Sequence, residues 1–570
     1  MPSGPHRVLA HHNLTVPLRD GTTQWADLYL PDTSGPLPAI LERSPYEKGR
    51  SSEVQVDAHN FFASHGYAFI VTDVRGRFRG EGEFYPFRDD ARDGYDTVEW
   101  IAAQPWCNGQ VGMIGGSYSG ATQYQVMALR PPHLRCLFSR QSSADYHEDW
   151  VFRGGAFQLA FMWVWTVRWL LISGEARGDL TSEQIARLKA ATVDQDACFA
   201  QWPLAPLKLV EHGYDWYNEW LDRCDDAGLW NALSARVWHA EVDVPIMHLG
   251  AWFDIFQRGS FDHFTGLRRL ARTPHARRWQ RMIVGPWIHG PLRIPERVQG
   301  EVDFGPAAGL DFNELRLPWY DLWLKRDRSA VDRTHWLPLD DDPLKLFLMG
   351  ANKWRNCADW PPPDATFTDW FLRPNAMLGR APVERAEPQT FVYDPMKPTL
   401  SLGGHTLYVP GGPVDQRPAE SSGLIFTTEP LDDELTVIGP VRAVLHASSS
   451  CRDTDWVVRL TDVLPDGRSL LVCDGILRAR YRESRWQPSL LEPGRVYRFE
   501  IDLWNTAHVF ARGHRLRVAV CSSSFPRFDR NPNTGARLYF NKHREVAHNT
   551  IYLDATQPSY LVLPVVPNEV

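Results

Sequence analysis

The chain has 570 residues, 43% of them hydrophobic and 23% charged, which excludes wholesale disorder and, at roughly 150 residues per domain, asks for three or four domains. A net charge of -8 at pH 7 disfavours a nucleic-acid surface, and no apolar run is long enough to span a membrane. The eight cysteines lie apart with no C-x-x-C pair, which speaks against structural zinc or a redox motif, and the N-terminal segment lacks a signal-peptide core, so a cytoplasmic location is expected.

In chain order, residues 1–145 alternate short apolar runs with helical spacing. Residues 38–41, 67–72, 111–114 and 134–138 read as buried strands, and 93–102 and 119–129 as helices. Strand and helix alternating this way imply a parallel sheet covered on both faces. Residues 146–240 show no convincing strand and hold nine of the 24 tryptophans, so they read as an inserted helical cap, with Thr181 or Ser182 placed to cap a helix. Strand patterns resume at 244–249 and 282–284, so 241–349 completes the first domain. From 350 to 570 period-2 segments recur at 437–446, 456–460, 497–503 and 516–520, with a turn at Pro465-Asp466-Gly467. The predicted fold is an α/β-hydrolase domain with an inserted helical cap and a C-terminal jelly-roll β-sandwich.

One segment carries chemistry. Residues 111–120 read Val-Gly-Met-Ile-Gly-Gly-Ser-Tyr-Ser-Gly, an apolar strand running into a glycine-flanked serine and then a helix-forming stretch. That is the context of a nucleophile elbow, in which a strained turn lifts the Ser117 hydroxyl clear at the sheet edge. The strict pattern G-x-S-x-G is not met, because Ser119 stands where the second glycine belongs. A serine needs a base, and elbow hydrolases place acid and then histidine later in the chain. Asp254 follows the 244–249 strand and His289 follows the 282–284 strand, in that order.

These and other stretches resemble the family of cocaine esterases, S15-type Xaa-Pro dipeptidyl-peptidases and α-amino acid ester hydrolases, with the layout nearest the cocaine esterases. The matching motifs are Ser44-Pro45-Tyr46-Glu47-Lys48, Asp73-Val74-Arg75-Gly76-Arg77, residues 93–101, residues 115–120 and Gly285-Pro286-Trp287-Ile288-His289. In the sandwich they are Asp453-Thr454-Asp455-Trp456 and residues 529–535. The family's elbow tolerates a non-glycine residue two after the serine.

The resemblance implies Ser117 as nucleophile, His289 as general base and acid, Asp254 as its orienting partner, and an oxyanion hole from the Tyr46 hydroxyl and the Tyr118 backbone N–H. It also implies Trp150, Trp165 and Phe256 as walls of the acyl pocket. Together these describe a serine hydrolase of carboxylic esters with a bulky or aromatic neutral acyl group, needing no cofactor and no metal. The alternative is cleavage of amides, peptides or α-amino esters, for which Glu148 and Asp149, expected at a solvated cap entrance, are the nearest acids. The partner is a small-molecule ester or amide, with no nucleic acid and no membrane, and a homo-oligomer is compatible with the residues. A carbohydrate-binding role for the sandwich would use Trp456, Trp486 and Trp504.

Overall fold

The computed structural model describes residues 4–204, 215–290, 294–337, 342–407 and 410–568. Ten strands form the first sheet: β1 (Val8–Pro17), β2 (Thr23–Pro31), β3 (Leu37–Ser44), β4 (Ala68–Asp73), β5 (Cys107–Gly116), β6 (Leu134–Arg140), β7 (Ile246–Phe253), β8 (Gln280–Ile288), β9 (Leu344–Leu348) and β10 (Lys353–Cys357). Their order is β1-β2-β4-β3-β5-β6-β7-β8-β9-β10. The strands from β4 through β9 are mutually parallel, with antiparallel neighbours at both margins. Successive strand residues point to opposite faces, so each apolar run feeds two cores. Ala39, Leu41, Val111 and Met113 lie in one, while Ile40 and Ile114 lie in the other. The runs look continuous in sequence because helices cover both faces.

Helix α1 (Asp90–Ala102) and helix α2 (Tyr118–Met127) flank β5. Between β6 and β7 comes the cap, whose longest helix, α3 (Leu159–Arg177), is apolar around most of its circumference and accordingly deeply packed. Its aromatic core, including Trp150, Trp165, Trp216, Trp220 and Trp230, is continuous with Tyr118 and Phe256 of the sheet's upper edge. Thr181 caps helix α4 (Ser182–Val193) through reciprocal bonds with Gln184. The cap does contain a strand pair, contrary to expectation. A two-residue ribbon, Phe152–Arg153 against Ala156–Phe157, turns through Gly154 and Gly155 at positive φ. A Cβ on Gly154 would lie 2.0 Å from the Ile476 carbonyl oxygen, so the turn sits directly on the sandwich.

β9 and β10 form a hairpin across residue 350, and β10 belongs to the first sheet. The second sheet system packs eleven strands around a core that includes Trp456, Leu460, Phe499, Ile501 and Val518. Its strand Tyr497–Phe510 reaches the first domain, where Asn505 exchanges two hydrogen bonds with the Gln257 side chain at 3.0 and 2.8 Å. Trp456 and Trp504 are buried and present no free stacking face to a sugar, and the half-buried Trp486 packs against the His147 ring at 4.7 Å. No helix among the described residues is long and apolar enough to cross a membrane.

Candidate active site

Ser117 sits between the end of β5 and the start of α2 with φ 57° and ψ −123°, a conformation that costs a non-glycine residue energy and persists only where the surroundings enforce it. The neighbours show why they are small. A Cβ on Gly115 would lie 2.5 Å from that of Ser119, and one on Gly116 would lie 2.7 Å from the Arg140 guanidinium. Ser119 is fully buried beside the Glu42 carboxyl, and the absence of a Cβ on Gly115 leaves room for its side chain. The backbone is gripped on both sides: Ser117 N–H donates to the Arg140 carbonyl at 3.0 Å, and Ser142 Oγ donates to the Ser117 carbonyl at 2.9 Å.

Asp254 follows β7 and is fully buried, and His289 follows β8. Parallel neighbours end on the same side of a sheet, which is why residues 35 apart meet. His289 Nδ1 lies 2.5 Å from Asp254 Oδ1, and Nε2 lies 3.2 Å from Ser117 Oγ. A carboxylate can only accept, so Nδ1 carries the proton and Nε2 is left as acceptor for the serine.

Tyr46 lies in the loop after β3. Its hydroxyl accepts from Trp165 Nε1 at 3.2 Å and is faced by the Ser117 hydroxyl and the Tyr118 backbone N–H. Burial pushes its pKa up, which keeps the phenol a donor. The Tyr118 side chain points away, donating to Asp90 at 2.7 Å, so only its backbone is available near Ser117.

Trp150, Trp165 and Phe256 gather beside these groups. Trp150 stacks on Phe256 at 4.4 Å, Phe256 presents its edge to the His289 ring at 5.2 Å, and Trp165 packs against Trp150 at 5.5 Å. All the expected residues are therefore brought together around Ser117. Trp169, which the sequence did not single out, joins them with its ring 4.4 Å from that of Tyr46.

The expected solvated entrance acids are a correction. Asp149 is buried, accepts from the Ala144 N–H at 3.3 Å, and is pushed up to about 8 by burial and by Asp262. Glu148 is mostly buried; against burial, bonds to His147 and the Arg258 charge pull it down to about 2. Its carboxylate is already committed to the Gly154 N–H at 2.8 Å and Arg258 at 3.4 Å. Packing against α5 (Gln257–Leu270) closes over both, which a linear reading of a Trp-rich cap does not reveal. Among the described residues no set of His, Cys, Asp or Glu side chains is arranged to hold a metal.

Comparison with known proteins identifies the family and the fold. Residues 20–291 match the X-Pro dipeptidyl-peptidase (S15 family) profile, and 338–562 match the X-Pro dipeptidyl-peptidase C-terminal non-catalytic domain. The chain is 35% identical to a cocaine esterase of Rhodococcus sp. (strain MB1 Bresler), over 97% of this chain and 98% of that protein. Among solved structures, an aminopeptidase from a marine sediment archaeon, Thaumarchaeota archaeon, superposes with a TM-score of 0.80 at 25% identity, covering 99% of this chain and 97% of that one. An α-amino acid ester hydrolase shares the fold with a TM-score of 0.76 at 24% identity, covering 99% and 98%.

Proposed function

The chain belongs to the S15 family that includes the Rhodococcus cocaine esterase, and from that membership we propose a serine esterase that works through an acyl-enzyme on Ser117 and prefers a neutral, bulky or aromatic acyl group. The observation that carries the reading is His289, bonded through one ring nitrogen to Asp254 and through the other to Ser117. As Ser117 Oγ attacks the ester carbonyl carbon, its proton passes to His289 Nε2, and Asp254 stabilises the resulting imidazolium. The carbonyl oxygen becomes an oxyanion and receives the Tyr46 hydroxyl and the Tyr118 N–H. Collapse expels the alcohol with the proton from Nε2, and water repeats the sequence to release the acid.

The acyl preference rests on charge. A substrate ammonium in a dry pocket needs an unpaired carboxylate. Asp149 holds its proton at neutral pH and Glu148 is already engaged by Arg258, while Trp150 and Phe256 offer apolar faces. The second reading, cleavage at an α-amino acyl group, is favoured by the likeness to the archaeal aminopeptidase.

One experiment tests both. A fluorophosphonate should label the wild type and not Ser117→Ala, which should lose essentially all turnover while keeping its fold. Labelling that survives in Ser117→Ala overturns the nucleophile. With matched leaving groups, kcat/KM for a phenylacetyl ester should exceed that for a phenylglycyl ester, and the reverse order moves the chain to the second reading.

A further inference from the structure

Three consecutive residues at the end of β6 and just beyond it, Arg140, Gln141 and Ser142, touch both halves of the machinery. Arg140 and Ser142 hold the backbone of Ser117. Gln141 turns the other way. It is buried, has a positive φ of 47°, and is anchored by its own N–H to the Leu249 carbonyl of β7 at 2.8 Å. Its side-chain amide closes on the residues either side of His289. Nε2 donates to the Ile288 carbonyl at 2.8 Å, and Oε1 accepts from the Gly290 N–H at 3.0 Å. One amide thus does what a neighbouring strand would do, at the point where β8 has stopped being a strand.

The donor and acceptor requirements are fixed by the backbone: a carbonyl on one side needs an N–H, and an N–H on the other needs an oxygen. A side-chain amide supplies both at any pH, and the reach is that of glutamine. Among the described residues, the His289 ring has one polar tether, Asp254, and one working contact, Ser117. Asp254 fixes the ring's tilt, whereas the height of the ring over Ser117 depends on where the backbone at 288–290 lies. Ile288 N–H is held by Gln299 at 3.1 Å, which secures the strand side of His289 but not the far side.

We propose that Gln141 is the positioning residue that sets the distance between His289 and Ser117, through the two hydrogen bonds that bracket His289. It touches neither substrate nor reacting atoms. The inference rests on the assignment of Ser117 and His289 as nucleophile and base. Because a misplacement of about 1 Å in reacting groups can cost about 100-fold, the loss of the bracket should appear in the chemical step.

The test compares wild type, Gln141→Met and Gln141→Glu, with Ser117→Ala as control. For Gln141→Met, which keeps length and volume and removes both hydrogen bonds, kcat should fall about 30- to 100-fold with KM within about 3-fold. Active sites titrated by fluorophosphonate at completion should stay near one per chain, while the rate of labelling falls with kcat. Gln141→Glu supplies the finer readout. An ionised carboxylate faces the Ile288 carbonyl without a proton to donate, but a protonated one reproduces the amide's donor and acceptor. Burial raises such a pKa, so the ratio of Gln141→Glu to wild-type activity should rise as pH falls from about 8 to 5. A kcat for Gln141→Met within about 3-fold of wild type overturns the proposal. So does a kcat loss matched by a loss of titratable sites, or failure of both variants to fold, since either makes Gln141 purely structural. So does a pH-independent ratio for Gln141→Glu. If Ser117→Ala keeps its activity, the assignment of the nucleophile fails instead, which a separate variant makes visible.

Discussion

At the scale of single residues, Tyr46 separates binding from chemistry. Its ring packs on Trp169 and its hydroxyl is held by Trp165, so removing only the oxygen leaves the packing in place. Tyr46→Phe should therefore lower kcat about 100- to 1000-fold with little change in KM, measured by steady-state kinetics on one aryl ester; a change confined to KM would make Tyr46 a binding residue. Asp149 shows a different cost. Burial and the nearby Asp262 raise its pKa to about 8 from an ordinary 3.8. The unfolded chain loses this proton from about pH 4 upward while the folded chain keeps it to about pH 8, so Asp149 subtracts stability as pH rises through that window. Asp149→Asn removes the titration. Its stability relative to wild type, from urea unfolding at pH 5 and pH 8, should improve with pH, and an equal difference at both would refute the buried neutral acid.

At the scale of elements, the strands that carry Ser117, Asp254 and His289 were legible because each is a buried run, closed at its end by a polar residue. β5, β7 and β8 need no context to be read, and their ends in one sheet follow from the parallel rule. Ser119 in place of glycine weakened the elbow pattern, and the structure shows the side chain accommodated beside Glu42. Tyr46, Trp165 and Phe256 had no periodic signature and came from resemblance alone. The ribbon at 152–157 was missed because two-residue strands have no measurable period, and Gln141 because its partners at 288 and 290 are remote in sequence. The helix start at Thr181 was legible, since a threonine followed three residues on by glutamine is a reciprocal cap. Thr181→Ala should destabilise α4 by about 1 kcal/mol, visible as faster amide exchange over Ser182–Val193 with kcat unchanged. Unchanged exchange would mean that packing alone holds the helix.

At the scale of the whole molecule, the sandwich is tied to the cap through buried charge. Arg478 forks onto Asp455 with two bonds of 2.9 Å and reaches Asp529 at 2.9 Å, and Asp529 in turn accepts from the Phe157 N–H of the cap ribbon at 2.8 Å. Removing the cation strands two buried carboxylates, which costs roughly 3–5 kcal/mol. Arg478→Met should lower the urea midpoint by a corresponding amount and expose the cap to proteolysis, and wild-type protease resistance would disprove the tie. The strand pairing also has a consequence for synthesis. Tyr560–Val566 lies in the middle of the second sheet, between Thr366–Arg373 and Leu435–Ser449, and Thr366 pairs with Val565. At about 5–20 residues per second, the emerging Thr366–Arg373 segment waits on the order of tens of seconds for its partner. During that interval Ser117, Asp254 and His289 have all left the ribosome, but the Asp529 that holds the cap ribbon is made only near its end. A message cut short before the codon for Tyr560 yields chains with every reacting residue and an open seam through the sandwich. Chains ending before Tyr560 should therefore be cut by protease far faster than the full chain, since Thr366–Arg373 and Leu435–Ser449 are left without the strand that joins them.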